Sequence, residues 1–436
     1  MRILKKRFSE WLTPVRVIAI GFLVLIFLGS FLLMLPASVK DSAELSYIDA
    51  LYTSTSAVCV TGLVVADSGD TFTQFGQIIL ALLIQIGGLG VATVGTGIMF
   101  ALGRHIDIRG KNLIKEGSNM SSVKGSVLLL RRIFLYTAVI ELIGALLCFF
   151  VFLGERPFGE ALWLGFFHSI ASFNNAGFDV FGGGEGMIPY AANVPLNLIT
   201  SFLIILGGIG FLVIHELLVK RFRWKKLSMH ARIVLSTSGV LIVLGTLLLK
   251  ATENISWLGA FFTSVSTRTA GFSTYSPGGF SNAGLLVVMA LMFIGASSGS
   301  TGGGVKTGTF FVLLSGIRGV ATNRRSAAFH YSLPAEAFKK AAVIVLVALG
   351  VIFLGTFALT VFEPSVSFAD LFFEMISAFG TVGLSTGITP ELGTASKLVS
   401  MVVMYIGRLG PMTVASLWFV SKGERVRYPE GNLAIG

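Results

Sequence analysis

The chain has 436 residues, 54% of them hydrophobic and only 13% charged, about half the charged share of an ordinary soluble domain. That balance excludes a water-soluble globular domain and predicts an all-α membrane protein. The net charge of +11 would suit nucleic acid, but its distribution does not, and no nucleic-acid partner is expected. Most of the 33 lysines and arginines lie in alternate loops and at both termini. The opposite loops hold only Lys40, Arg156, Lys250 and Lys397. This positive-inside bias predicts a multi-pass protein of a cell membrane with both termini in the cytoplasm. The short basic loops are expected to meet anionic membrane lipid. Cys59 and Cys148 lie in different hydrophobic regions, so neither a disulfide framework nor a zinc pattern is present.

In chain order, residues 1–16 read as a basic cytoplasmic N-terminus. The apolar run that follows is read as a retained helix, not a cleaved signal, because equivalent helices recur. Long apolar spans fall near 17–36, 72–101, 133–153, 195–219, 231–249, 283–318, 341–362 and 396–420. Each is long enough for the roughly 20 residues a crossing needs. Between the members of each successive pair lies a shorter apolar segment of about a dozen residues, the length of a re-entrant helix. These segments are related: YTSTSAVCVTGL (52–63), FHSIASFNNAGF (167–178), FFTSVSTRTAGF (261–272) and FEMISAFGTVGL (373–384). Each opens on an aromatic and reaches a glycine followed by a large apolar residue: Gly62, Gly177, Gly271 and Gly383. Further glycines recur downstream in register, at Gly87, Gly207, Gly295 and Gly407.

The pattern predicts four M1–P–M2 repeats: eight transmembrane helices and four pore half-helices around a central pore. Repeats 1 to 4 span 17–101, 133–219, 231–318 and 341–420. Cytoplasmic loops at 102–132, 220–230 and 319–340 separate them, and a cytoplasmic tail follows at 421–436. Irregular backbone survives at membrane depth only where it lines a cavity or is buried in protein. Four copies of one glycine turn around an axis would aim carbonyl oxygens at a dehydrated cation. The turns carry few charges, which favours a large monovalent ion over a divalent one.

The four turns, the series TGL, NAGF, TAGF, TVGL and the IGRLGP ending resemble the potassium-translocating subunits of the Ktr/Trk/HKT superfamily, with the greatest similarity to KtrB-type subunits, which include KtrD. The resemblance covers nearly the whole chain, up to RYPEG at 427–431. It implies potassium bound by backbone carbonyls around Val60, Thr61 and Gly62, Asn175, Ala176 and Gly177, Thr269, Ala270 and Gly271, and Thr381, Val382 and Gly383. It implies one glycine per turn, with potassium as the main ion and sodium as an activator to be considered. It also implies a homodimer, dimer contacts through the C-terminal tail, and a separate cytosolic ring of RCK-type subunits (KtrA/KtrC-like). Nucleotide would act on that ring, and no cofactor is expected in this chain.

GASSGSTGGGVKTG, residues 295–308, stands apart. Gly299 and Gly304 have phosphate-loop spacing, but Val305 intrudes before Lys306-Thr307, and no strand precedes the loop. Gly295, Ser297 and Gly299 fit a nucleophile elbow, yet none of the histidines is an evident base for Ser297. An intramembrane serine hydrolase and a coupled secondary cation carrier stand as alternatives. The position of the loop, interrupting the second helix of repeat 3 below the filter glycines, indicates a different role. The resemblance makes 295–306 an intramembrane gating loop, carried by Gly295, Ser297, Ser298, Gly299, Gly302, Gly303, Gly304 and Lys306. Arg408, at the same depth in repeat 4, is read as a positive barrier beneath the filter, with an ion pair or carbonyl contact that holds helices together as the alternative. Lys306 is expected either to join that barrier or to snorkel to the interface. Arg268, Asn174 and Asn175 are expected to brace the turns, and Glu141 to pair with a neighbouring helix, with cation binding and proton relay as its alternatives.

Overall fold

The computed structural model describes residues 13–91, 93–95, 126–324, 326–411 and 413–414. The expectations for the extreme N-terminus, most of the 102–132 loop and the 421–436 tail lie outside the described residues. Repeat 1 is built from α1 (Pro14–Leu33), α2 (Tyr47–Cys59) and α3 (Gln74–Leu89). Repeat 2 comprises α4 (Ser126–Phe152), α5 (Phe158–Phe173), α6 (Val194–Ile209) and α7 (Phe211–Val219). Repeat 3 has α8 (Met229–Thr252), α9 (Trp257–Ser266), α10 (Asn282–Phe293) and α11 (Thr307–Ala321). A two-residue hairpin, Ala327–Ala328 with Tyr331–Ser332, leads to repeat 4. That repeat has α12 (Ala335–Phe362), α13 (Phe368–Gly380) and α14 (Thr394–Leu409).

The helix starts are local chemistry. Ser46 and Ser367 accept from the backbone N–H of Asp49 and Asp370 at 3.1 and 3.2 Å, and donate to the same carboxylates. Each serine thus occupies a donor that the first helical turn leaves unpaired. Ser228, Ser256 and Ser281 cap α8, α9 and α10 in the same way. α1, α8, α12 and the Leu130–Phe152 part of α4 are each long and apolar enough to cross a membrane. Their outer faces carry exposed side chains such as Phe31, Leu142, Phe150 and Leu354, as expected of lipid-facing surface. The short helices α2, α5, α9 and α13 are instead packed inside, and their serines and threonines are buried.

One contact set repeats along the chain. Gly29, Gly144 and Gly245 of the long helices leave no room for a Cβ beside Ser54, Ser169 and Ser264 of the short ones. Those hydroxyls donate to the carbonyls of Ile26, Glu141 and Ile242 at 2.7–2.8 Å. In repeat 4, Gly355 meets the Met375 sulfur instead.

The second helices differ from the continuous spans read in the sequence. α3, α6 and α14 all end on a glycine with positive φ: Gly90 (+87°), Gly210 (+94°) and Gly410 (+86°). α6 and α7 bend by 99° across Gly210. In repeat 3, α10 stops at Phe293 and α11 resumes at Thr307. All four second helices therefore break at one level, where the sequence pattern had placed a break only in the third. The long apolar spans extend past Gly90, Gly210 and Gly410, so span length alone passes over a single-residue turn, although the Gly410-Pro411 pair is a local break signal.

Candidate ion pathway

The C-terminal ends of α2, α5, α9 and α13 converge. Gly62, Gly177, Gly271 and Gly383 have φ of +87°, +66°, +80° and +95°, angles that disfavour any side chain. Two residues earlier, Val60, Asn175, Thr269 and Thr381 also have positive φ, between +49° and +70°. Thr61, Ala176, Ala270 and Val382 between them do not. Each turn thus alternates left-handed, ordinary and left-handed backbone. Four such departures at one level form a functional signature, since non-glycine residues in this region are strained.

A Cβ on Gly62 would strike the Ala176 carbonyl; on Gly177, that of Ala270; on Gly271, that of Val382; on Gly383, that of Thr61. The four turns therefore form a closed ring in chain order, each meeting the next in the same way. This is rotational repetition of one unit. Inverted halves, the mark of the carrier alternative, would not produce a head-to-tail cycle. The α2 and α13 serines fix the outermost amides: Gly62 N–H donates to Ser56 Oγ at 3.0 Å and Gly383 N–H to Ser377 Oγ at 3.1 Å.

On one side of the ring lies a vestibule of about 370 Å³ that touches all four glycines and is walled by Asp67, Asp179, Ser385 and Thr389 among others. Asp67 and Asp70 accept from the amides of Gly184 and Gly183 at 3.0 and 2.8 Å, holding the glycine-rich 182–184 segment over its rim. Burial, reinforced by the nearby Asp67 carboxylate, pushes the Asp179 carboxyl up to about 7.

The opposite side is occupied by the 295–306 loop. Its ends meet as a bridge between Ile294 and Val305. Gly302 lies against the Thr269 side chain, and the Gly303 amide donates to Thr381 Oγ1 at 3.0 Å. The loop also fills the break in repeat 2. Ser297 and Thr301 N–H donate to the carbonyls of Gly208 and Gly207, at 3.0 and 3.3 Å, and Phe211 N–H donates to the Gly299 carbonyl at 3.0 Å. The Ser298 carbonyl approaches Gly210. Ser297 and Thr301 are fully buried.

Three cations fasten this loop. Arg408 donates to the Thr301 carbonyl and, from its other nitrogen, to the carbonyls of Gly87 and Gly88 in α3. It therefore ties the loop to repeat 1 from a helix of repeat 4. Lys306 Nζ turns inward to Gly302 and Gly303 carbonyls at 2.6 and 3.3 Å; it does not snorkel away. Beyond both cations is a second cavity of about 180 Å³ that Lys306, Arg408, Gly299 and Gly302 help to line.

Other expected residues sit differently. Arg268 reaches the Gly295 carbonyl at 3.3 Å and Ser238 at 3.5 Å, so it braces the root of the loop and not its own turn. Asn174 points to Gln85 and Glu141, at 2.9 and 3.0 Å, joining repeat 2 to repeat 1. That places Glu141 in a structural pairing. Asn175 lies beside Thr301 at 3.3 Å, linking its turn to the loop. Ser297 Oγ contacts Thr307 Oγ1 at 3.0 Å rather than a histidine, which leaves the hydrolase alternative without a base.

The sequence pattern did not reveal why Gly87, Gly207 and Gly407 recur. They seat the second helices on the carbonyls of Val58, Phe173 and Phe379, just ahead of the ring. Gly295, their counterpart, rests on the Gly303 carbonyl instead. In repeat 3 the loop has taken the place of that helix-on-turn contact.

Comparison with known proteins agrees with this architecture. The family model described as "TrkH: Cation transport protein" matches residues 8–422. The chain is 37% identical to Ktr system potassium uptake protein B of Bacillus subtilis, over 100% of both chains. It is 36% identical to the potassium/sodium uptake protein NtpJ of Enterococcus hirae, again over 100% of both. The crystal structure of the potassium transporter TrkH from Vibrio parahaemolyticus superposes with a TM-score of 0.73 at 20% identity, covering 93% of this chain and 84% of that one. With four turns closed into a ring, broken second helices and matches along nearly its whole length, the chain belongs to the TrkH cation transport protein family as a KtrB/KtrD-type membrane subunit, a transporter and not an enzyme.

Proposed function

We propose that this chain is a channel-like potassium translocator of a bacterial cell membrane, with both termini in the cytoplasm. The observation that carries the reading is the closed ring of Gly62, Gly177, Gly271 and Gly383, with residues 295–306 packed directly against Thr269 and Thr381 beneath it. The carbonyls of the four turns act as the filter, replacing water around a potassium ion. Relatives named as potassium uptake proteins, 37% and 36% identical over the full chain, support the choice of ion.

The loop is the gate. Its contacts to the ring threonines close the path, and Arg408 and Lys306 add positive charge to a route for cations. Opening requires the loop to leave the ring, which breaks the Arg408–Thr301 contact and the Phe211–Gly299 contact. The motor for that movement is assigned to partners. Names in the Ktr system imply companion subunits, and the assembly proposed is a homodimer on a cytosolic RCK-type ring that binds nucleotide. Sodium enters as an activator, in keeping with the potassium/sodium name of the Enterococcus relative.

Rubidium-86 uptake into proteoliposomes tests this, with potassium and sodium as competitors and with or without the cytosolic ring. The reading expects uptake that potassium suppresses more strongly than sodium does. Absence of uptake under both conditions defeats it.

A further inference from the structure

The residue after the opening aromatic occupies an equivalent place in all four short helices: Thr53, His168, Phe262 and Glu374. All four are at most 1% exposed. Three bear no permanent charge and one is a carboxyl group, so the quadrants around the ring are chemically unequal behind their common backbone. A carboxyl group buried this completely demands partners. Glu374 Oε1 accepts from Thr389 Oγ1 at 2.5 Å, while Oε2 has no hydrogen-bond partner.

Thr389 also lies 2.9 Å from Ser385 Oγ, and Ser385 Oγ accepts from the Gly387 amide at 3.0 Å. A hydroxyl carries one proton and two lone pairs. With the Thr389 proton given to Glu374, the contact between the hydroxyls is made by the Ser385 proton. Both protons then run inward, Ser385 to Thr389 to Glu374. One lone pair on each hydroxyl is left over. Ser385 and Thr389 both line the vestibule, beside Gly383.

We propose that Glu374 is a positioning residue for cation entry. Acting through Thr389 and Ser385, it orients two hydroxyl oxygens toward the vestibule and so creates an off-axis subsite where a monovalent cation exchanges part of its hydration before entering the ring. The inference rests on the potassium-pathway reading and adds an asymmetric entry step to it. The Thr53, His168 and Phe262 quadrants lack this device. His168, for example, is committed to Thr200 Oγ1 at 2.8 Å and packs against Phe272.

The test is the dependence of rubidium-86 uptake on external rubidium concentration in proteoliposomes. Thr389→Val and Glu374→Met are each expected to raise the half-saturating concentration about threefold or more, with a smaller change in maximal rate. Glu374→Gln keeps an acceptor for Thr389 and should restore most of the wild-type value. The double variant Glu374→Met/Thr389→Val should be no worse than the more affected single one, because both act through one chain of hydroxyls. Should Glu374→Met fail to fold, Ser385→Ala, at a half-buried position on the wall, carries the same expectation. An unmoved half-saturating concentration overturns the inference, as does a fall in maximal rate alone or multiplication of the two single effects. A wild-type protein that carries rubidium while its variants behave so isolates the failure to this step; a wild-type protein that carries none defeats the transport reading together with it.

Discussion

Arg408→Gln isolates the hold of repeat 4 on the loop. The arginine bonds two different bodies: the Thr301 carbonyl belongs to the loop, whereas the Gly87 and Gly88 carbonyls belong to α3. Only the first contact is lost when the loop leaves the ring, so only it biases closed against open. A hydrogen bond from a charged donor contributes about 1.5–3 kcal/mol, and about 1.4 kcal/mol is a factor of ten in an equilibrium. Loss of the Thr301 contact therefore raises the open fraction roughly 10-fold to 150-fold. Glutamine retains a shorter amide donor, which places the expected increase near the lower figure. The assay is rubidium-86 uptake into proteoliposomes without the cytosolic ring, normalised to folded protein by size-exclusion elution. An uptake within twofold of wild type, or below it, in a protein that elutes normally refutes the assignment of Arg408 as a closing contact.

Gly271→Ala forces a side chain into left-handed backbone at φ +80° and into the Val382 carbonyl. The backbone term alone costs about 1–2 kcal/mol, and uptake should fall at least tenfold or lose its preference for potassium over sodium. Gly207→Ala separates packing from conduction. In an open helix the change would stabilise by roughly 0.5–1 kcal/mol, but here the new methyl meets the Phe173 carbonyl. A lowered unfolding temperature in detergent is therefore expected, and a raised one contradicts the seating role. Asp179 supplies a pH dependence. Its carboxyl is pushed up to about 7, so it is neutral below that pH and negative above it. Raising the pH on the vestibule side from 6 to 8 should lower the half-saturating rubidium concentration, and Asp179→Asn should flatten that response; an unchanged response in the variant counts against it.

Much of this arrangement was legible before any coordinates. The ring glycines could be found because their pattern is local: a glycine ten residues after an aromatic and just before a large apolar residue, four times over. The 295–306 loop was legible because ten consecutive glycine, alanine, serine and threonine residues, 295–304, cannot continue a lipid-facing helix. Other features depend on contacts between repeats, which no local pattern encodes. The breaks at Gly90 and Gly210 carry no Pro or charge within three residues, and Arg408 and Pro411 beside Gly410 are read for charge and family motif but not as a helix break. Arg268 stands beside its own turn in sequence, yet its side chain reaches back to Gly295. Glu374 is not singled out in the sequence; its full burial and its hydroxyl partner, fifteen residues on in the chain, needed the fold. The recurrence of Gly87, Gly207 and Gly407 was visible, while its cause, three carbonyls of neighbouring helices, needed the fold.

The central claim is that ions pass through the glycine ring and that the loop beneath it is the obstruction. Shortening the loop by removing residues 299–302, alone and combined with Gly271→Ala, tests both halves in one rubidium-86 flux experiment without the cytosolic ring. The account predicts that the shortened protein carries several-fold more rubidium than wild type and that Gly271→Ala abolishes the gain. A folded, shortened protein with wild-type flux, or one whose increased flux survives Gly271→Ala, contradicts it.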